Sequence, residues 1–319
     1  MAHISVVVPV FREEAVLHEL CSRLQGALSQ VSDDFEVILV EDGSGDRSWD
    51  IIRQLSAEDR RIKGIKLSRN FGQHYAITAG LDACDGDWVV VMDGDLQDLP
   101  EVIPQLYAKA QEGHDVVFVA RQNRPENFIY RLIQRSFYKT FQYLAKTRYD
   151  PAHGNFSIIS RRVVEDFRDL TENLRFYGGI VNWLGYDQAS LPAQHGERFA
   201  GETTYTLGKR LRLAVDMILA HSDRPLRFSI GLGLVMSALS FTYGIYILVR
   251  ALFSDFSVEG WASLIVSIYF TGGIILVVLG VMGVYIGKIF NELKQRPLYV
   301  VADRVGFTTY EKRPSVSGH

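Results

Sequence analysis

Over roughly the first 120 residues, short apolar runs alternate with stretches whose apolar residues recur every three or four positions. Ile4 to Val8, Phe35 to Val40, Ile62 to Leu67, Trp88 to Met92 and Val116 to Ala120 read as strands, because short runs rich in β-branched residues suit a sheet covered on both faces. Between them, Ala15 to Leu28 carries Val16, Leu17, Leu20, Leu24 and Leu28 at helical spacing. Trp49 to Leu55, Gln73 to Ala83 and Pro100 to Gln111 also read as helices. Strand and helix in alternation predict an α/β fold: a Rossmann-like, mainly parallel sheet with helices on both faces. Ligands of such sheets sit beyond the carboxyl ends of the strands. Here those ends carry Pro9-Val-Phe-Arg-Glu13, Glu41-Asp-Gly-Ser44, Asp93-Gly-Asp95 and Arg121.

The pattern changes after Arg227. Phe228 to Val249 and Gly260 to Gly287 carry no charged residue and present no polar face, as core helices would. Each is long enough for a helix to cross a bilayer, which takes about 20 apolar residues. Two transmembrane helices are therefore expected, over 228–250 and 261–287. Lys209, Arg210, Arg212, Arg224 and Arg227 precede the first, and Lys288, Lys294 and Arg296 follow the second. Only Arg250, Asp255 and Glu259 charge the connection. The positive-inside rule then predicts a multi-pass protein of the inner (cytoplasmic) membrane with both termini cytoplasmic. The opening Met-Ala-His-Ile-Ser-Val-Val-Val-Pro run lacks a basic leader, so no cleaved signal is expected.

The expected plan is a cytosolic catalytic domain over 1–200, a juxtamembrane connector over 201–227, the two spans, and a cytosolic tail over 288–319. In the connector, Leu207, Leu211, Val215, Ile218 and Leu219 recur at helical spacing beside Lys209, Arg210 and Arg212. That suits an amphipathic helix on the membrane surface, with a core helix of the soluble domain as the alternative. At 319 residues and a net charge of −3, the chain has room for one sizeable domain and a smaller part. Nucleic acid is not an expected partner. Cys21 and Cys84 lack metal-type spacing and read as reduced core residues.

The chemistry begins where the Val89 to Met92 run stops at Asp93 and Asp95, with Gly94 between them. Two hard oxygen donors at a strand end suit Mg²⁺ or Mn²⁺ bridging to phosphates, although the same three residues also make an ordinary turn. Asp42 and Glu13 have the acceptor chemistry to bind a base or a ribose. Equally, Asp42-Gly43 is a competent turn and Glu13 suits a helix N-terminus. No Gly-x-Gly-x-x-Gly follows the first strand and no Gly-x-x-x-x-Gly-Lys-Ser/Thr occurs, so dinucleotide and P-loop readings lose their main support.

Pro9-Val-Phe-Arg-Glu13, Glu41-Asp-Gly-Ser-Gly-Asp46, Ser68-Arg-Asn-Phe-Gly-Gln73, Met92-Asp-Gly-Asp-Leu-Gln-Asp-Leu-Pro100 and Arg296-Pro-Leu-Tyr299 together resemble family 2 glycosyltransferases acting on polyprenyl phosphate. The likeness covers nearly the whole chain. It is strongest to bacterial undecaprenyl-phosphate glycosyltransferases with two C-terminal spans, bactoprenol glucosyltransferases and aminoarabinose-type transferases among them. Dolichyl-phosphate mannose synthases share the catalytic pattern more distantly. The resemblance implies a GT-A fold and a nucleotide-sugar site drawing on Pro9, Phe11, Glu13, Asp42, Gln73, Asp93 and Gln97. In it Asp42 contacts the nucleoside, Asp93 lies near the ribose and diphosphate, and Asp95, with Asp93, serves Mg²⁺ or Mn²⁺. The implied partners are a nucleotide sugar, UDP-linked, an undecaprenyl or other polyprenyl phosphate, and membrane lipids.

The implied reaction is inverting transfer of a single sugar, with a lipid-phosphate oxygen attacking the anomeric carbon opposite the departing nucleoside diphosphate. A phosphate monoester, with a second pKa of about 6, needs positioning more than deprotonation. Arg121 and Arg135 are the preferred residues to screen the acceptor phosphate, with Arg124 and Arg131 read as surface charges. One departure stands out. Where bactoprenol glucosyltransferase-like members carry Gly-Asp-Phe, with the aspartate a candidate base, this chain has Gly154-Asn155-Phe156. Asn155 cannot take up a proton; it either hydrogen-bonds sugar or phosphate, or stabilises its loop.

Two other functions fit the chain less well. A processive polysaccharide synthase would carry Gln-x-x-Arg-Trp and more spans, and neither is present. A non-catalytic nucleotide-binding adaptor or lipid-translocation component has no need of the retained carboxylates. Gly272-Gly273, Gly280, Gly283 and Gly287 permit close helix packing within a chain or between copies in a homo-oligomer.

Overall fold

A computed structural model describes residues 3–122, 153–170, 172–173, 175–194, 224–253 and 260–307. The chain divides into two compact units, Met1–Arg135 with Thr147–Thr204 and Arg296–His319, and Ser136–Lys146 with Tyr205–Gln295.

In the first unit, strands β1 (Ile4–Val10), β2 (Phe35–Glu41), β3 (Ile62–Leu67), β4 (Trp88–Val91) and β5 (Val116–Gln122) fall where the apolar runs predict them. Three further strands, β6 (His153–Ser160), β7 (Gln188–Gln194) and β8 (Val301–Val305), complete an eight-stranded sheet in the order β7-β5-β6-β4-β1-β2-β3-β8. Pairing is parallel from β3 through β2 and β1 to β4, and again between β5 and β7. β6 runs antiparallel between β4 and β5, so β5 still points the same way as β4. The carboxyl ends of β1 to β5 and the amino end of β6 therefore lie along one edge. This is a GT-A-like mixed α/β fold.

Helices α1 (Leu17–Leu28), α2 (Ser48–Glu58), α3 (Gln73–Ala83), α4 (Ile103–Ala110), α5 (Arg161–Asp169) and α6 (Tyr177–Leu184) cover the sheet. Strand alternation sorts the core. Val6, Val8 and Val10 of β1 pack with Leu20 and Leu24 of α1 on one face, while Val7 joins Ile38, Val40, Ala76 and Ile77 on the other. Leu17, Leu20, Cys21, Leu24 and Leu28 bury one stripe of α1 at helical spacing, each fully desolvated leucine contributing about 1.5–3 kcal/mol. Residues Pro100–Val102, expected as helix, form a 3₁₀ turn before α4.

The segment expected as a cytosolic tail does more than trail. β8 pairs antiparallel with β3, and the Ser68 N–H donates to the Val300 carbonyl at 2.8 Å. Tyr299 packs against the core face around α3, and its hydroxyl donates to Asp82 at 2.6 Å. Residues after the second long helix thus rejoin the sheet.

The second unit holds helices α7 (Arg224–Phe253) and α8 (Trp261–Leu293). Both are long and apolar enough to cross a membrane: Ser229–Tyr246 has mean hydropathy 1.3 and Val266–Leu293 has 2.2. Leu239, Phe241, Leu276 and Leu279 are exposed, unlike the apolar residues of a buried core helix, and both helices are candidate membrane spans. Each helix runs past the expected span, α7 taking residues 224–227 from the connector and α8 continuing to Leu293. The remainder of the connector lies outside the described residues. α8 stops at a left-handed Gln295 (φ 45°), two residues before Pro297, which cannot extend a helix.

Replacing Tyr299 with Phe removes the bond to Asp82 and should cost about 1 kcal/mol, or about 2–4 °C in Tm, by thermal melting. An unchanged Tm would show that β8 pairing alone secures the segment.

Candidate active site

The site grows from the loops after β1, β2, β3 and β4. Asp42, directly after β2, is 2% exposed, and its two carboxylate oxygens accept the Phe71 and Gly72 N–H groups, each at 2.8 Å. Burial pushes its carboxyl above the usual aspartate value, with the two N–H donors pulling the other way. Gly43 has φ +65°, and a Cβ there would strike the backbone of Arg69 and Asn70. The Asp42-Gly43 pair is therefore a brace between the loops after β2 and β3. Each oxygen takes one backbone N–H and keeps acceptor capacity for a further donor.

That brace fixes the start of α3, where successive residues reach different elements. Gln73 donates to Asp93 Oδ1 at 2.6 Å. The His74 ring lies edge-on to Phe176 at 5.2 Å, and Tyr75 donates to the Asn173 carbonyl at 2.9 Å. Burial pushes His74 down to about 4, so it is neutral near pH 7 and unsuited to accept a proton there.

After β4 the chain makes a tight acidic turn. Asp98 is buried and accepts the Asp93 N–H at 3.2 Å; Asp95 accepts the Gln97 N–H at 3.1 Å. Leu96, buried between them, has φ 60°, a left-handed conformation that costs a leucine energy and that the turn imposes. Gly94 has no positive φ; the Glu13 carboxylate fills the space a Cβ would take, so a larger residue there would displace the Glu13 side chain. Glu13 thus sits against the Asp93–Asp95 turn. Pro9 is buried in β1 with its carbonyl also facing Gly94, and Phe11 stands 42% exposed beside Arg12, itself at φ 59°.

Asp93 and Asp95 are half-buried oxygen donors on one turn, and no group of three or more His, Cys, Asp or Glu able to hold a metal occurs among the described residues. That donor set fits Mg²⁺ or Mn²⁺ completed by substrate phosphates, and does not fit an all-protein cage or a soft metal.

Antiparallel β6 delivers Asn155. Val91 pairs with Ser157, so two residues beyond β4 the chain brings Asp93 opposite Asn155, whose amide donates to Asp93 Oδ1 at 3.3 Å. Arg121 is placed at the end of β5, paired with Ala193. Arg124, Arg131 and Arg135 lie outside the described residues. Asp98 and His74 join the site without a distinguishing local pattern; the only sequence signal for Asp98 is its place in the Asp93 to Pro100 run.

Comparison with known proteins gives a consistent picture. The family model described as glycosyl transferase family 2 matches residues 5–168. An uncharacterized glycosyltransferase of Bacillus subtilis (strain 168), YkcC, is 41% identical over 95% of this chain and 94% of its own. A prophage bactoprenol glucosyl transferase homolog of Escherichia coli (strain K12) is 35% identical over 93% of this chain and 98% of its own. The bactoprenol glucosyl transferase of Shigella phage SfII is 36% identical over 93% and 97%. Among solved structures, glucosyl-3-phosphoglycerate synthase from Mycobacterium tuberculosis, in complex with Mn²⁺, UDP and phosphoglyceric acid, superposes with a TM-score of 0.50. It is 21% identical, over 69% of this chain and 78% of that one, and supports the fold.

Replacing Asp42 with Asn leaves one backbone N–H facing an amide NH₂ and should cost about 1–3 kcal/mol in a thermal or urea melt. Wild-type stability would show that the brace is dispensable.

Proposed function

We propose, since the chain belongs to glycosyl transferase family 2 and is a glycosyltransferase, that it transfers one sugar from a UDP-linked donor to a polyprenyl phosphate such as undecaprenyl phosphate. The supporting observation is the convergence of Asp93, Asp95 and Glu13 at one sheet edge in a chain with two helices apolar enough to span a membrane. Relatives named bactoprenol glucosyl transferases, matching across nearly the whole chain, favour the lipid acceptor. The sugar-bearing lipid phosphate would form at the cytoplasmic membrane face.

Asp95, with Asp93, would hold Mg²⁺ or Mn²⁺, which when bound supplies charge neutralisation for the departing diphosphate. The other steps fall to the chain. Asp42 braces the loops that border the nucleotide and would accept a further bond from the nucleoside, and Phe11 offers an exposed aromatic face. Arg121 and Arg135 screen the acceptor phosphate and bring its oxygen in line with the anomeric carbon, so attack from the opposite face inverts the configuration. No side chain needs to remove a proton, because the attacking phosphate is already anionic. Asn155, an amide, is compatible with that chemistry and not with general-base catalysis.

Purified full-length protein with Mn²⁺ or Mg²⁺, a panel of UDP-sugars and undecaprenyl phosphate should yield a glycosylated lipid by mass spectrometry. Asp95→Ala should lower turnover on the order of 100-fold or more. Undiminished turnover in that variant would remove the metal assignment, and failure of every donor to label the lipid would remove the acceptor.

A further inference from the structure

We propose that Gln73 and Asn155 are positioning residues that clamp the Asp93 carboxylate between two neutral amides, fixing its direction toward the metal and diphosphate. This inference rests on the metal reading of the Asp93–Asp95 turn given above. Both amides donate to the same oxygen, Gln73 Nε2 to Oδ1 at 2.6 Å and Asn155 Nδ2 to Oδ1 at 3.3 Å. Two donors on one oxygen set the plane and rotation of the carboxylate, and so set where its second oxygen points.

The donors come from elements held by unrelated interactions. Gln73 opens α3, whose entry is tied down by the Asp42 bond to Gly72. Asn155 lies in β6, whose place is set by antiparallel pairing with β4, Val91 against Ser157. From below, Asp98 takes the Asp93 backbone N–H at 3.2 Å. Side chain and main chain of Asp93 are thus fixed from three separate segments, more than a surface turn requires.

Residue type matters at both positions. An amide donates a hydrogen bond without adding charge, so Asp93 keeps its attraction for a cation. A lysine or arginine would compete with the metal for that charge. A carboxylate at position 155 would set two like charges against each other beside the leaving group, unless the metal or a proton separated them. Asn155 is thereby assigned to orienting Asp93, in place of the base that its position suggests by resemblance. Outer hydrogen bonds of this kind typically change metal affinity 10–100-fold when removed.

The test uses the full-length protein in detergent with UDP present and MnCl₂ titrated by calorimetry, which reads metal binding independently of turnover. Gln73→Ala and Asn155→Ala should each raise the apparent Mn²⁺ Kd about tenfold, and neither should raise it further in an Asp93→Ala background. Gln73 is exposed, so its truncation is expected to leave the melting curve unchanged and to serve as the folding-neutral arm. Asp95→Ala separates the two ideas. If Asp95→Ala abolishes Mn²⁺ binding while Gln73→Ala and Asn155→Ala bind like wild type, the clamp is wrong and the metal site stands. If Asp95→Ala binds Mn²⁺ like wild type, the metal site falls and the clamp falls with it. Equal losses with and without Asp93 would show that the two amides act by another route, and would also overturn the proposal.

Discussion

The buried carboxylate of Asp42, with one backbone N–H on each oxygen, is the constraint from which the site's geometry follows. A buried carboxylate is costly unless it is hydrogen-bonded, and here each oxygen takes an N–H from one of the two residues that lead into α3. Because the loop after β2 cannot move without stripping those bonds, the entry of α3 is fixed against it. Gln73, His74 and Tyr75 then reach Asp93, Phe176 and Asn173 from one helical turn. Gly43 is the steric half of the same device, since a Cβ there would hold the two loops apart.

A second constraint comes from the sheet. Inserting antiparallel β6 between β4 and β5 keeps the ends of all five predicted strands on one edge and brings the amino end of β6 to the same place. The acidic turn after β4 therefore meets helix α3 from one side, β6 from another, and Glu13 of the loop after β1 through the gap left by Gly94. Division of labour among the carboxylates follows from these surroundings. Asp42 and Asp98 hold backbone, Asp93 is oriented by amides, and Asp95 accepts the Gln97 N–H within its own turn. The proposed chemistry assigns the metal to the last of these.

What the sequence made legible was whatever depends on local pattern. β1 and β2 are buried along their whole length, β4 and β5 over Val89–Val91 and Val116–Val119, and β3 at all but Lys63 and Lys66, while α3 carries its pattern over Gln73 to Ala83, the bounds the structure also has. The three strands that escaped notice have physical disguises. β7 contains Pro192 and β8 contains Asp303 and Arg304, residues that edge strands tolerate and central strands do not. β6 opens with His153-Gly-Asn155 and pairs with strands far back in the chain, Ala120 against His153 and Trp88 against Ser160, so its partners are invisible to any local window. Asp42 and Glu13 were visible as strand-end chemistry and Asn155 through the family resemblance, but their partners depend on which loops meet. Pairwise meetings of that kind belong to the fold, and the single chain does not display them.

The central claim is that the strand-end carboxylates have separate duties, with the cation on the Asp93–Asp95 turn and Asp42 left on its backbone donors. An experimental structure of the full-length protein with Mn²⁺ and UDP, carrying anomalous signal at the manganese edge, tests this most directly. The account predicts one manganese peak within bonding distance of an Asp95 oxygen, with Asp42 still bonded to Phe71 and Gly72. A manganese bound by Asp42, or none at the Asp93–Asp95 turn with UDP in place, would contradict it.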